Sequence, residues 1–339
     1  EAAVGLEAWL NRNWYGEGRS TLLLLPLAWL YGAAIAVRRW LYRRGILSSG
    51  RPDVRVVVVG NITAGGAGKT PLVIYLAEQL VALGRRPGVA SRGYGGSTGP
   101  VPRQVYAESR AEEVGDEPLL IARRTEVPVV VGRDRRAAAE VLAAAGVDLV
   151  LCDVGLQHYA LGRDVELAVI DGERGLGNGR LLPVGPLREP QRRLESVDLV
   201  IRNGGQPAGA ELGMRLAVRE LVNLADGSRR TLASMAGERV HAAAGIGHPE
   251  RFFATLEAAG LTVIRHPLPD HGAFDAGRRL PDDGRPVLMT EKDAVKCPAP
   301  ASDRFWYLPV DAVFDDGDAA RLLKAVLGEA PPATGTTHG

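Results

Sequence analysis

The eight residues Thr63-Ala64-Gly65-Gly66-Ala67-Gly68-Lys69-Thr70 decide the fold of this chain. They follow a valine-rich run at 54–59 and precede a helical pattern that begins at Thr70. A strand, a glycine-rich turn, Lys-Thr and a helix, in this order, are the parts of a phosphate-binding loop, or P-loop. The glycines allow backbone N–H groups to converge on phosphate oxygens, and the N-terminus of the helix adds partial positive charge.

Two side chains of this loop can bind a nucleotide directly. Lys69 can reach the β- and γ-phosphates, and the Thr70 hydroxyl can bind Mg²⁺. The loop departs from the P-loop consensus at Thr63, which occupies the place of the first glycine. A glycine-rich linker is the alternative, but the preceding strand and the Gly-Lys-Thr sequence favour a site for ATP and Mg²⁺.

Composition limits the possible functions. The 339 residues are enough for about two domains, and a net charge of +1 gives no electrostatic argument for nucleic-acid binding. Only four of the 41 basic residues are lysines, so a single arginine carries little information whereas Lys69 stands out. Cys152 and Cys297 form neither a metal-ligand spacing nor a disulfide framework, which fits a reducing compartment where ATP is available.

The N-terminal region predicts membrane attachment. Residues 22–37 (LLLLPLAWLYGAAIAV) carry no charge, and as a helix they would reach about 24 Å, less than the ~30 Å of a hydrocarbon core. This length fits a marginal span or a helix that enters one leaflet; a buried core helix is the alternative. Arginines and aromatic residues, which favour membrane interfaces, lie around and within the run: Arg19, Arg38, Arg39, Arg43, Arg44, Trp9, Trp14, Trp29, Trp40, Tyr15, Tyr31 and Tyr42. A signal peptide fits poorly, because most of the positive charge follows the run. We expect attachment to the inner membrane, with the rest of the chain on the cytosolic face.

After this region, apolar runs alternate with amphipathic helices, as in an α/β fold with a mostly parallel sheet covered on both faces. The Gly- and Pro-rich stretch 172–190 precedes a second alternating set, and we expect a cleft between the two lobes. The strands predicted in that second set are 197–201, 215–218, 240–244, 262–264, 287–290 and 306–310. The predicted segments are a membrane-associating helix at 1–46, a P-loop catalytic domain at 47–175, a second α/β lobe at 176–328 and a disordered tail at 329–339.

Polar residues at the ends of these elements are candidates for chemistry. Asp153 ends an apolar strand, where a P-loop protein holds Mg²⁺, although many strands end in a turn-forming Asp. Asp116 opens a helix, either as a capping residue or as a base that takes the proton of an attacking hydroxyl. His271, in Pro269-Asp270-His271, could pair with Asp116 across the cleft. Three arginines in loops could stabilise a transferred phosphoryl group: Arg92, Arg135 and Arg188.

The order of several short motifs resembles the tetraacyldisaccharide 4′-kinase (lipid A 4′-kinase) family over nearly the whole chain. Besides residues 60–71 these motifs are Ser91-Arg92-Gly93-Tyr94, Gly115-Asp116-Glu117-Pro118, Gly155-Leu156-Gln157-His158, Leu182-Pro183-Val184-Gly185-Pro186-Leu187-Arg188-Glu189-Pro190, Ala244-Gly245-Ile246-Gly247, Pro269-Asp270-His271 and Thr290-Glu291-Lys292-Asp293. The resemblance also accounts for Thr63, because Ser or Thr is common at that position in the family.

The resemblance implies two P-loop-like α/β/α lobes and a reaction. The γ-phosphate of ATP is transferred to the 4′-hydroxyl of an acylated glucosamine disaccharide 1-phosphate, giving lipid IVA at a membrane surface, with no obligate protein partner. It implies that Asp116 is the general base coupled to His271, and that Thr70, Asp153 and Glu117 serve the metal. The residues that it places around the phosphates are Lys69, Glu117, Arg135, His158 and Arg188.

One position departs from the family pattern. The family usually has two consecutive aspartates before Gly-Leu-Gln-His, and the second is Val154 here. An apolar side chain cannot bind Mg²⁺. Three interpretations follow: Asp153 suffices alone, Glu117 compensates, or turnover is reduced.

Two other function classes remain as alternatives. A membrane-tethered regulatory ATPase with a deviant P-loop would need an extra lysine early in the loop, where this chain has Thr63 and Ala64. A non-catalytic nucleotide-binding protein is the second alternative, in which Val154 marks the loss of activity. Phosphorylation of the glycolipid by the purified protein distinguishes the kinase from both.

Overall fold

The computed structural model describes residues 2–16, 18, 20–97, 99, 101–153, 155–269, 280–297 and 302–328, without the side chains of residues 2–8. Five features of the sequence analysis therefore lie outside the described residues: Arg19, Val154, Asp270, His271 and the tail at 329–339.

Helices and strands alternate along most of the described chain. The α-helices are α1 (Ala2–Tyr15), α2 (Leu25–Arg43), α3 (Lys69–Ala82), α4 (Ala111–Val114), α5 (Asp116–Arg124), α6 (Arg135–Ala144), α7 (Pro249–Ala258), α8 (Glu291–Ala294) and α9 (Asp316–Leu327). The strands are β1 (Arg55–Gly60), β2 (Pro87–Ser91), β3 (Arg103–Val105), β4 (Val129–Val131), β5 (Leu149–Asp153), β6 (Val165–Asp171), β7 (Leu199–Asn203), β8 (Leu212–Val218), β9 (Leu221–Asn223), β10 (Arg229–Arg230), β11 (Arg239–Ala244), β12 (Thr262–Pro267), β13 (Val287–Thr290), β14 (Phe305–Leu308) and β15 (Val310–Phe314).

The strands form two sheets. The first sheet has the order β15-β8-β7-β6-β1-β5-β2-β4-β3, and its strands from β8 to β4 run parallel. Its two edge strands, β15 and β3, are antiparallel to their neighbours. The second sheet has the order β10-β9-β14-β13-β11-β12, with a parallel part from β14 to β12. The predicted α/β class with mostly parallel sheets is confirmed.

Strand β1 shows how the first sheet is covered on both faces. Its side chains alternate, so that Val57 and Val59 join the core cluster that contains residues of α3 and α5. Val56 and Val58 join the opposite cluster with residues of α6. All four valines are fully buried, which explains why this strand reads as a continuous apolar run rather than as an alternating one.

The predicted assignment to the second set was wrong for the strands at 197–201 and 215–218, which correspond to β7 and β8. Strands β7, β8 and β15 follow the Gly- and Pro-rich stretch in sequence, but they belong to the first sheet. An apolar strand pattern fits either sheet equally well, so the sequence could not assign them. The domain boundary at 175/176 stays a prediction, and the first sheet continues beyond it.

The single strand predicted at 306–310 was also wrong. The segment is divided between β14 in the second sheet and β15 in the first, and Pro309 lies between them. Proline has no N–H group to donate to a sheet ladder, so it marks the point where the chain leaves one sheet. The chain also passes from the first sheet to the second between β8 and β9. The two crossings are joined by a hydrogen bond of 2.9 Å from Arg219 N to the Pro309 carbonyl.

The N-terminal helical segment is longer than the apolar run predicts. Residues Ser20–Arg43 form 24 helical residues, long and apolar enough to cross a membrane by length and composition, and only 11% of the most apolar window is buried. Trp29 is 71% and Leu30 is 69% exposed. In contrast, the Trp14 indole donates to the Pro183 carbonyl at 3.1 Å and the Tyr31 hydroxyl donates to the Arg188 carbonyl at 3.2 Å. The aromatic residues therefore divide between an exposed surface and contacts with the body of the protein.

Two adjacent residues of α6 give a matched test of this packing. Leu142 is fully buried against the first sheet, whereas Val141 is 45% exposed. We expect Leu142→Ala to lower the free energy of unfolding by about 2–5 kcal/mol, because it leaves a cavity in a closely packed core. Val141→Ala should change it by less than about 0.5 kcal/mol. Urea denaturation of the detergent-solubilised chain measures both, and equal effects would contradict the packing described here.

Candidate active site

The turn between β1 and α3 has the backbone of a phosphate-binding loop. Gly65 and Gly68 have φ of 95° and 89°, in the left-handed region that favours glycine. A Cβ at Gly68 would clash with Asn203 Nδ2, which donates to the Ala67 carbonyl, so space as well as conformation disfavours a larger residue. Helix α3 begins at the next residue, which places Lys69 and Thr70 at its N-terminus.

Hydrogen bonds from outside the turn hold its shape. Asn61 Nδ2 donates to the Thr63 carbonyl at 2.8 Å and to the Gly65 carbonyl at 3.2 Å. Asn203 Nδ2 donates to the Ala67 carbonyl at 3.1 Å, and Ala64 N donates to the Pro186 carbonyl at 2.7 Å. The turn is therefore organised by three other segments of the chain.

Thr63 and Ala64 have a different position from the rest of the loop. Thr63 is buried and forms an isolated β-bridge with Leu187. A cavity lies beside the loop, and neither Thr63 nor Ala64 is among the described residues that line it. The other six residues of the motif do line it: Gly65, Gly66, Ala67, Gly68, Lys69 and Thr70. The first two predicted phosphate-binding residues thus anchor the loop to the neighbouring segment.

A cavity of about 670 Å³ lies next to the loop. Besides the loop, Glu117 of α5 and Arg188 of the Gly- and Pro-rich stretch line it. From the other side come Gly247, in the loop after β11, and Lys292, in the helix after β13. Apolar side chains of both sheets complete the wall, including Leu216, Phe252 and Leu308. The cavity has the size of a small-molecule site and combines apolar surface with a few charged groups.

The Lys69 ammonium lies among several charges. Burial lowers the pKa of Lys69, while the carboxylates of Glu117 and Asp153 raise it. Arg188 and Lys292 act in the same direction as burial. Positive groups from three parts of the chain therefore lie close to one another at the phosphate-binding loop.

Asp153 ends β5 next to this cluster. It is fully buried, and neither carboxylate oxygen has a hydrogen-bond partner within the described part of the chain. Burial, with the negative charge of Glu117, raises the pKa of Asp153 from 3.8 to about 7. A buried carboxylate without donors is costly unless a cation or proton neutralises it, so this position suits a metal ligand.

Asp116 and Glu117 open α5, where the partial positive charge of the helix N-terminus favours carboxylates. Asp116 is 4% exposed, and its Oδ1 accepts a hydrogen bond from Glu117 N at 2.9 Å. Its Oδ2 lies 3.8 Å from Lys292 Nζ and 4.0 Å from Lys296 Nζ. Since His271 lies outside the described residues, the predicted pairing with Asp116 stays a prediction.

Arg135 and His158 form a second polar pair near Asp153. Arg135 is buried at the start of α6, and its Nη1 lies 3.2 Å from His158 Nδ1. Burial and the neighbouring guanidinium lower the pKa of His158 to about 4, so the imidazole is neutral at physiological pH. The neutral ring can accept a hydrogen bond from Arg135 through Nδ1.

Arg92 and Arg188, the other candidate arginines, both line the cavity. The backbone of Arg188 is fixed by a hydrogen bond from its N to the Ile62 carbonyl at 2.7 Å, which ties it to the segment that enters the phosphate-binding loop.

Two residues of the candidate site were not assigned from sequence. Asn203 ends β7 and holds the P-loop, and an asparagine after an apolar strand was a weak signal for it. Lys292 reaches Glu117 Oε1 at 3.2 Å from the second sheet. Its motif, Thr290-Glu291-Lys292-Asp293, was identified without a role, although lysine is rare in this chain.

Comparison with known proteins identifies the family. The family model for tetraacyldisaccharide-1-P 4′-kinase matches residues 20–328. A protein of Alkalilimnicola ehrlichii named tetraacyldisaccharide 4′-kinase is 55% identical over 316 residues, which cover 93% of this chain and 94% of the relative. A protein of Azoarcus sp. with the same name is 51% identical, covering 98% of this chain and 99% of the relative.

A solved structure agrees with the sequence relatives. The crystal structure of LpxK from Aquifex aeolicus in complex with ATP superposes with a TM-score of 0.75 at 28% identity. The match covers 91% of this chain and 98% of the other. With its P-loop, its cavity between two sheets and these relatives, the chain belongs to the tetraacyldisaccharide 4′-kinase family.

Proposed function

We propose that this protein transfers the γ-phosphate of ATP to the 4′-hydroxyl of tetraacyldisaccharide 1-phosphate, forming lipid IVA. The observation that carries the proposal is the phosphate-binding loop with Lys69 and the buried Asp153 beside it, in a chain of this family. The apolar part of the cavity wall suits the nucleoside of ATP.

Asp116 is the proposed general base. A sugar hydroxyl is a poor nucleophile at neutral pH, so a positioned base must take its proton as the oxygen attacks the γ-phosphate. Asp116 is buried at a helix N-terminus with its Oδ1 fixed by a backbone N–H, which supports a defined orientation. His271 is the proposed partner that orients or tunes this carboxylate.

Asp153, Thr70 and Glu117 are proposed to hold Mg²⁺. They offer carboxylate and hydroxyl oxygens, which Mg²⁺ prefers, and both Asp153 oxygens are without partners among the described residues. When bound, Mg²⁺ supplies neutralisation of the phosphate charge. Glu117 lies close enough to Asp153 to raise its pKa, which supports the interpretation that Glu117 compensates for Val154.

Lys69, Arg135 and Arg188 are proposed to stabilise the negative charge of the phosphates. Arg135 acts on Asp153 and is held against the neutral His158 ring, so this pair gives the guanidinium a fixed position. Preorganised cations of this kind stabilise the transferred phosphoryl group without reorganising during the reaction.

We further propose that Ser20–Arg43 attaches the protein to the cytosolic face of the inner membrane. The exposed Leu23, Leu27, Trp29 and Leu30 give the helix an apolar surface, and arginines follow at its C-terminal end. A substrate with four acyl chains stays in the bilayer while ATP stays in the cytosol, so an enzyme that joins them must work at the interface.

The kinase assignment predicts loss of product in two variants. Lys69→Ala removes the ammonium at the phosphates and Asp116→Ala removes the base, so each should lower kcat by at least about 100-fold. The assay combines γ-labelled ATP, Mg²⁺ and detergent-dispersed tetraacyldisaccharide 1-phosphate, and detects a bis-phosphorylated lipid. Lys324→Ala, on α9, is the matched control and should keep the wild-type rate. ATP turnover that ignores the glycolipid would favour a regulatory ATPase instead.

The metal assignment predicts an unusual dependence of stability on pH. In metal-free protein the folded state holds the Asp153 proton up to about pH 7, whereas the ordinary pKa is 3.8. The free energy of unfolding therefore decreases as the pH rises from about 4 to 7. Asp153→Asn removes this loss, so the metal-free variant should be more stable than the wild type at pH 8 by roughly 2–4 kcal/mol, and by less at pH 5.

With Mg²⁺ present, the wild type should become more stable than Asp153→Asn at pH 8. The ion stabilises the folded wild type by binding, and it should have little effect on Asp153→Asn. Denaturation curves with Mg²⁺ and with EDTA, at pH 5 and pH 8, measure both effects. Equal stabilisation of the two proteins by Mg²⁺ would exclude Asp153 as a ligand.

The membrane assignment predicts that charge on the exposed helix surface releases the protein from lipid. Leu27→Glu with Leu30→Glu should lower co-sedimentation with vesicles of phosphatidylethanolamine and phosphatidylglycerol by about tenfold or more, because a charge in the apolar region is costly. The control is Val81→Glu with Leu83→Glu at the end of α3, where both residues are also about half exposed. If the control is released equally, the helix is not the attachment site.

A further inference from the structure

Two of the four lysines in this chain line the cavity, and a third, Lys296, lies beside Asp116. Lys69 is in the phosphate-binding loop, whereas Lys292 lies in α8 and Lys296 just after it, on the segment that follows β13 of the second sheet; both ammonium groups approach Asp116. The other 37 basic residues are arginines, so lysine is rare in this chain and half of its lysines line this cavity. A lysine ammonium is a compact point charge, whereas the arginine guanidinium is broad and planar, and the two are not interchangeable around a small anion.

The turn that carries Lys292 is rigidly built. Thr290 caps α8 by accepting a hydrogen bond from Asp293 N at 3.2 Å. Asp293 is fully buried, and its Oδ2 accepts hydrogen bonds from Gly245 N at 2.9 Å and from the Thr290 hydroxyl at 2.6 Å. Lys292 therefore projects from a fixed point at the end of β13 in the second sheet.

Ion pairs fix this turn against the first sheet at both ends of α5. At the end of α5, Arg124 Nη1 lies 2.8 Å from Glu291 Oε2, and both side chains are only 12% exposed. At the start of α5, Lys292 Nζ lies 3.2 Å from Glu117 Oε1. The two sheets therefore meet with Lys292 in a defined position on the cavity wall.

Lys292 and Lys69 share the cavity although they repel each other. Both line it, and Lys292 is one of the charges that lower the pKa of Lys69. Two like charges in one cavity, contributed by separate helices, are unfavourable unless negative charge offsets them. Glu117 and Asp116 are counter-ions that the chain itself places near Lys292. The nucleotide phosphates bring several further negative charges to the same cavity.

We propose that Lys292 binds the γ-phosphate of ATP from the wall opposite Lys69, so that the second sheet completes the phosphate site. Lys292 then distinguishes ATP from ADP, because ADP lacks the group that it contacts. This inference rests on the proposed function for the choice of ATP as the ligand. It adds a residue from the second sheet to those that stabilise the transferred phosphoryl group.

The test compares two ligands without lipid. Binding of β,γ-methylene-ATP and of ADP to the detergent-solubilised full chain is measured by calorimetry with Mg²⁺. Lys292→Met should weaken binding of the ATP analogue by about tenfold or more, the effect of one charge-assisted hydrogen bond, and should change ADP binding by less than about threefold. Lys292→Arg should lie between Lys292→Met and the wild type, and Lys324→Met should match the wild type for both ligands.

Two outcomes would overturn the proposal. Equal loss of both ligands would show that Lys292 maintains the cavity, and no loss of either would show that it does not reach the phosphate. A double-mutant cycle with Glu117→Gln separates pairing from phosphate binding: the effect of Lys292→Met on the ATP analogue should persist in the Glu117→Gln background. If it disappears there, Lys292 acts only through Glu117 and the proposal fails.

Phosphorylation of the glycolipid is measured in parallel to separate this inference from the proposed function. If the wild type phosphorylates the lipid but Lys292→Met discriminates between the ATP analogue and ADP as the wild type does, the inference fails and the kinase function stands. A protein whose discrimination depends on Lys292 but which leaves the lipid unmodified contradicts the kinase function alone.

Discussion

The arrangement of this protein depends on one electrostatic constraint: cations from separate elements line the same cavity at the turn between β1 and α3. Burial and the charges of Arg188 and Lys292 all disfavour the protonated form of Lys69. The carboxylates of Glu117 and Asp153 oppose them. Such a balance is stable without a ligand and becomes more favourable when phosphate enters, since an anion satisfies the cations and the helix N-terminus at once. Both sheets contribute to it, so the position of one sheet relative to the other is part of the site.

The sequence predicts the parts of this fold whose signals are local. The valine run of β1, the glycines of the turn and the helix after Lys69 lie together in the chain, and each has a direct physical reason. Membership of a sheet is different, because it depends on which strands pair in space. Strands β7 and β8 follow the glycine-rich stretch and have ordinary strand patterns, yet they extend the first sheet. Pro309 is the sequence signal that β14 and β15 belong to different sheets, since proline interrupts the hydrogen bonds of a sheet ladder.

The candidate site divides in the same way. Lys69, Thr70 and Asp153 could be assigned from motifs, because a P-loop fixes where its lysine, its hydroxyl and the carboxylate of a following strand lie. The place of Lys292 could not be predicted, because it depends on ion pairs between α5 and α8 that join residues about 170 positions apart. Thr63 shows the reverse case: it belongs to the motif, but its burial and its bridge to Leu187 make it an anchor of the loop.

The segment at 181–188 links the two environments that the proposed reaction must join. The Trp14 indole and the Tyr31 hydroxyl of the N-terminal helices donate to the carbonyls of Pro183 and Arg188. The same segment holds the P-loop through the Pro186 carbonyl, and the Arg188 side chain lines the cavity. One residue thus lies between the exposed apolar helix and the phosphate site. For a donor confined to water and an acceptor confined to lipid, this short connection is the geometry that chemistry at the boundary requires, because neither substrate has to leave its own phase.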